Sequence, residues 1–234
     1  MEKQVKQEIL DNRYLFSYLG KLGESSIVFE KSVNHGKLIA DALVFTTGKG
    51  LIGVEIKTEY DSLKRLSHQL DNYLTICNYV TVFIHESWVA KVEKLLASKH
   101  INYVVGIIVY SSYKNRVIAG VYKEMKTNPY IKPERTLDML WKTDVRALVN
   151  QAVKGINVSG TVAKLDRYQG KGRTINIASD LKRPSLGSRS LSKAMLVKQL
   201  IGLKGPQGAV NALCDMIITH SYDPEKTLKT YHFN

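Results

Sequence analysis

Between positions 27 and 57 the chain carries three apolar, β-branched runs in close succession, "IVFEKSV", "KLIADALVF" and "LIGVEIK", the last two joined only by "TTGKG". Runs of that length, bounded by Gly and polar turns, predict three consecutive strands. The preceding "EKQVKQEILDNRYLFSYLG" spaces Val5, Ile9, Leu10 and Leu15 at helical intervals and stops at Gly20 and Gly23, which predicts a first helix. After the strands, "SLKRLSHQLDNYLTI" returns to helical spacing through Leu63, Leu66, Leu70, Tyr73 and Leu74, with Asp61 or Ser62 placed to cap it. "YVTVFI" then reads as a buried strand, "SWVAKVEKLLASK" as a helix capped by Ser87, and "YVVGIIVY" and "VIAGVY" as two further strands. The sum is an α/β fold, a mixed β-sheet core flanked by helices.

Past residue 125 the character changes, and three regions are expected: a core over 1–125, a bridging helix region over 126–153, and a basic loop and helical C-terminal extension over 154–234. The bridge opens with prolines and runs as one amphipathic helix through Leu137, Leu140, Trp141 and Leu148. Residues 154–187 are rich in Gly, Lys and Arg with little periodicity, and two short helices are expected on either side of "KGPQG".

Charge separates these regions. Residues 1–150 hold 21 basic and 16 acidic groups, whereas residues 151–234 hold 13 and 5, so +8 of the total +13 lies in just over a third of the length. Such a surplus is the footprint of a polyanionic partner, with nucleic acid the leading candidate and a solubilising surface or a contact with an acidic protein the alternative. In "RYQGKGR", Arg167, Lys171 and Arg173 interleave with Tyr168, a pattern suited to gripping phosphates and stacking on a base and equally to a solvated loop. Lys182, Arg183 and Arg189 in "DLKRPSLGSR" extend the same basic set. No run approaches the roughly 20 apolar residues that span a bilayer. Two cysteines, Cys77 and Cys214, are too few for a disulfide scaffold, and a reducing cytoplasm is expected. The six histidines show neither an i,i+4 pair nor a Cys partner, so zinc is disfavoured.

Chemistry concentrates in the hairpin. Alternate side chains of a strand share a face, so Glu55 and Lys57 point the same way while Val54 and Ile56 face the other side. Asp41 lies on the neighbouring strand across "TTGKG", where its carboxylate converges on Glu55 if the hairpin is in register. Two close carboxylates repel unless a cation sits between them, and Mg²⁺ (or Mn²⁺) suits a few carboxylate oxygens plus water. Lys57 beside such a metal is placed to orient or deprotonate a water, or to stabilise charge on a phosphoryl group. That set predicts a metal-dependent phosphodiester cleavage site; the same acid and lysine also suit an ordinary salt bridge, so the rival reading is a catalytically inactive DNA- or protein-binding module.

An acid, a β-turn-β link and Glu-x-Lys on the next strand resemble the PD-(D/E)xK nuclease superfamily, over roughly residues 25–110. The resemblance implies a restriction-endonuclease-like core and metal-dependent DNA cleavage in the cell, with a homodimer as one way to cut two strands. "QLDNY" looks like the Gln-hydrophobic-x-x-Tyr motif of some branches, which falls on Gln69 and Tyr73 as support for the site. "EIKTEYDSLKRLSHQLDNY" is more closely similar to a bacterial and phage family within that superfamily, which continues into a "LLW" helix and an Arg-Ser pair, here "NPYIKPERTLDMLW" and "SRS". One departure stands out: those relatives read Gly-Glu-Ala-Arg-(I/V)-Asp where this chain has "HGKLIAD". A third acid, common in the superfamily, would then come from elsewhere or be absent: Glu30 in the preceding strand is the first candidate and Glu8 on the first helix the second, and both equally suit ordinary surface charges.

Overall fold

The central strand explains the rest of the sheet. β3 (Gly50–Lys57) is buried at all eight positions, which its near-continuous apolar run allows and which places it between two layers of helix. The computed structural model describes residues 2–33, 36, 38–114, 116–154, 187, 190–219 and 230–232. By internal contacts the chain forms two units, Met1–Met139 with Val210–Asn234, and Leu140–Ala209.

In the first unit β1 (Ser25–Val33), β2 (Leu38–Thr46) and β3 form an antiparallel meander. The β2–β3 turn depends on glycine twice: a Cβ on Gly48 would stand 2.6 Å from the Lys21 carbonyl, and Gly50 has φ 80°. β3 then pairs in parallel with β4 (Tyr79–His85), and β4 in parallel with β5 (Gly106–Tyr113), through crossovers carrying α2 (Leu66–Ile76) and α3 (Val89–Ser98). β6 (Arg116–Lys123) returns antiparallel on β5, and β7 (Thr230–His232) pairs antiparallel with β1, giving the order β6-β5-β4-β3-β2-β1-β7. The result is the expected mixed α/β sheet flanked by helices, with one strand, β7, that the sequence did not signal.

α1 (Glu2–Asp11) and a 3-10 turn over Arg13–Leu19 cover one face of the sheet. Val5, Ile9, Leu15 and Phe16 pack there with Ala42, Val44, Ile52, Val54 and Ile56. Full burial of aliphatic and aromatic side chains of this size contributes about 1.5–3 kcal/mol each, before cavity effects. The expected single first helix is therefore two pieces, separated at Asn12.

Other expectations need correction in detail. Ser87 does not cap the helix after β4: α3 starts from Trp88 without a side-chain cap, and His85 caps only the short 3-10 turn over Glu86–Trp88 before it, its ring accepting the Ser87 N–H. Ser62 caps a 3-10 turn over Leu63–Arg65 that leads into α2, and Asp61 closes a tight turn on Thr58 instead. The bridge is not one helix: α4 (Pro133–Leu137) ends in the first unit, and α5 (Lys142–Lys154) starts afresh in the second. Asp144 accepts the Trp141 N–H at 3.0 Å and so caps that new start, leaving Trp141 59% exposed instead of on an apolar stripe. The two closing helices are found as expected: the span Lys193–Ile218 (α6) is interrupted by a non-helical Gly205 (φ 73°, ψ 166°) just before Pro206, which leaves a helix on either side of "KGPQG". No helix among the described residues is long and apolar enough to cross a membrane.

Candidate active site

Glu55 and Lys57 occupy the C-terminal end of the central strand, on the face opposite Val54 and Ile56, which join the apolar cluster under α1. α2 packs on their face, and its approach is set by Gly53: a Cβ there would stand 2.4 Å from Tyr73 Cδ1 and 2.8 Å from Cys77 Sγ. The bare glycine lets the Tyr73 ring lie against β3. Its hydroxyl then donates to the Val54 carbonyl at 3.1 Å and accepts the Asp41 N–H at 2.9 Å. One buried tyrosine thus ties together the two strands that carry the acids.

The β2–β3 ladder is in the register required for convergence. Its last backbone pair is Ala42 with Val54, which carries Asp41 to the position opposite Glu55. Asp41 Oδ2 accepts the Ile56 N–H at 2.8 Å. Glu55 is fully buried and Lys57 is 5% exposed, and Lys57 Nζ lies 2.5 Å from Glu55 Oε1. The other carboxylate oxygen, Glu55 Oε2, is buried with no hydrogen-bond partner among the described residues.

Electrostatics follow from this crowding. Burial pushes Glu55 up to about 7 and the Asp41 charge adds to the rise, against the opposing pull of Lys57 and Tyr73. Burial also raises Asp41, opposed by the Ile56 N–H and by Lys57. The Tyr73 hydroxyl is held well above its ordinary range, first by burial and then by the two carboxylates. An orphaned buried carboxylate oxygen, beside a second carboxylate that repels it, is a donor set suited to a hard divalent cation. Among the described residues no group of three or more His, Cys, Asp or Glu side chains gathers; a cation held by two carboxylates keeps much of its water, as Mg²⁺ prefers.

The other expected residues fall in different places. Gln69 lies one turn before Tyr73 on α2, and its buried Oε1 has no partner among the described residues. Glu30 does not join the acids: it sits at a kink in β1 with φ 55°, its side chain is 68% exposed, and Lys6 holds it at 2.5 Å. Lys6 also lowers the Glu30 carboxyl below its ordinary range. Glu8 points elsewhere, toward the Ala119 N–H on β6. Arg167, Tyr168, Lys171, Arg173, Lys182, Arg183 and Arg189 lie outside the described residues.

Two charges near the site were missed. Glu2 and Lys6, one turn apart and paired at 2.7 Å, both act on Asp41, Glu2 raising and Lys6 lowering its carboxyl. The spacing of α1 shows the pair, but only tertiary placement brings it to β2.

Comparison with known proteins sets this geometry in a lineage. The family described as Bacteriophage P4 protein cII matches residues 1–187, a span that includes every residue of the cluster. Protein cII of Enterobacteria phage P4 is 27% identical over 150 residues, which is 64% of this chain and 53% of that protein. The chain therefore spans about half the length of this curated relative. No solved structure matches. With four-fifths of its length inside the family match, the chain belongs to the bacteriophage P4 protein cII family.

Proposed function

We propose that the chain is a metal-dependent DNA nuclease with a restriction-endonuclease-like core. One observation carries the reading: Asp41 and Glu55 stand opposite one another beside Lys57, and the buried Glu55 Oε2 has no hydrogen-bond partner among the described residues. Asp41 and Glu55 would hold Mg²⁺ or Mn²⁺, which when bound supplies a Lewis acid to a phosphodiester and an acidified water. Lys57 would orient the attacking water and offset charge developing on the phosphoryl oxygens. Tyr73 fixes the Asp41 backbone, and Ile56 fixes its carboxylate, so the acid is held before substrate arrives. Membership in the protein cII family names no reaction, so the reading rests on the site.

A second reading is favoured by the 2.5 Å contact between Lys57 and Glu55, which neutralises the carboxylate without a metal. In that case the fold is a DNA- or protein-binding module and the cluster a buried ion pair. Incubation with plasmid, linear duplex, single-stranded and branched DNA, each with Mg²⁺, Mn²⁺ or EDTA, separates the two. The nuclease reading expects metal-dependent cleavage that disappears in Glu55→Gln, and turnover that falls in Lys57→Ala. Cleavage by neither wild type nor any variant, on any substrate, would favour the binding module.

A further inference from the structure

Directly after Lys57 the chain makes a bend held by its own polar groups. Thr58 N–H and its hydroxyl both donate to Asp61 Oδ2 at 2.7 Å, and Asp61 N–H returns to the Thr58 carbonyl at 3.1 Å. That same carbonyl accepts the Trp88 indole N–H at 2.8 Å, which fastens the bend to the segment after β4. Glu59 is taken up by the Tyr110 hydroxyl at 3.2 Å. Both acids of the bend are thus engaged with protein groups, and Ser62 caps the turn that follows.

What the bend presents outward is of a different kind. Tyr60 is 84% exposed, the most exposed large apolar side chain among the described residues. Lys64 and Arg65 follow on the exposed side of the next turn. A flexible loop lets such a ring fold back onto the surface, but here the backbone is pinned on both sides of Tyr60. Three residues of chain reach at most about 10 Å, so Tyr60 stays beside the carboxylate cluster.

We infer that Tyr60, Lys64 and Arg65 form a grip for a single-stranded stretch of DNA. The tyrosine ring would stack on an unpaired base, and the two cations would neutralise the phosphates on either side of it. An exposed aromatic followed by two exposed cations matches how single strands are held without sequence preference. A duplex keeps its base faces stacked inside and offers that ring nothing. The inference deepens the nuclease reading, since the grip would present the strand to Asp41 and Glu55, but binding does not require cleavage.

Fluorescence anisotropy tests it in EDTA, with the full chain, a labelled single strand of about 20 nucleotides and a duplex of the same length. Tyr60→Ala should weaken single-strand binding about tenfold and leave duplex binding within about twofold, while Tyr60→Phe keeps wild-type affinity. Lys64→Ala with Arg65→Ala should make the single-strand salt dependence shallower by about 1.4 in log–log slope, for two phosphates released. No single-strand binding by wild type, or equal binding by Tyr60→Ala and wild type, would overturn the grip. An equal loss on single strand and duplex would overturn its assignment to unpaired bases. Because these assays contain no metal, failure of the nuclease reading appears separately, as absent cleavage.

Discussion

The Asp41 carboxylate accepts the Ile56 N–H at 2.8 Å, continuing by a side chain the β2–β3 ladder whose last backbone pair is Ala42 with Val54. The acid is therefore both a candidate ligand and a structural acceptor, and substitutions can separate the two roles. Asp41→Asn keeps an oxygen for Ile56 and should fold with near wild-type stability while losing cleavage. Asp41→Ala leaves the N–H unsatisfied and should cost about 1–3 kcal/mol in urea unfolding as well. Equal stability of the two variants would show that this bond does not hold the hairpin end.

Glu55 gives a pH signature. Its folded value of about 7 lies above the ordinary 4.5 because burial and Asp41 outweigh Lys57. A carboxyl raised on folding contributes stability that is fully present below the unfolded value and lost as pH rises through the folded one. The stability of wild type relative to Glu55→Gln should therefore fall by about 1–3 kcal/mol between pH 4.5 and about 7. Chemical denaturation across that window checks it; a constant difference would mean that Glu55 titrates normally.

Tyr73 supports the cluster from α2. Tyr73→Phe removes the partner of the Asp41 N–H and of the Val54 carbonyl, and should cost about 1–3 kcal/mol. Gly53→Ala pushes a methyl to 2.4 Å from the same ring and should cost a similar amount, about 1–3 kcal/mol, by forcing α2 away. Both should reduce cleavage, because each loosens Asp41. Thermal unfolding and cleavage rates measured on one preparation test the link: a stable Gly53→Ala with full activity would break it.

Glu30 stands outside the cluster, held by Lys6 at the surface. Glu30→Gln should leave cleavage within about twofold of wild type, since an exposed pair of this kind contributes little. A loss as deep as that of Glu55→Gln would return Glu30 to the site.

Much of this core was legible because its signals are local. The alternation in "LIGVEIK" fixes which face carries Glu55 and Lys57, and the tight "TTGKG" turn sets the register that brings Asp41 opposite. Gln69 and Tyr73 were readable only as a helical pair; that Tyr73 bonds to Asp41 depends on Gly53, which sequence periodicity registers merely as a missing side chain. Glu30 misled for a related reason, since strand alternation assumes regular backbone and β1 departs from it at that residue, with φ 55°. β7 has three residues and pairs with a strand some two hundred positions away, which no short window reveals.

Calorimetric titration with Mn²⁺, on wild type and Asp41→Asn at about pH 6 and about pH 8, tests the proposed metal site most directly. Glu55 must give up its proton to bind a cation, so wild type should bind more weakly at the lower pH and release protons as it binds. Asp41→Asn should bind markedly less at both. Absence of binding by wild type, or the same affinity in Asp41→Asn, would contradict a metal held by Asp41 and Glu55.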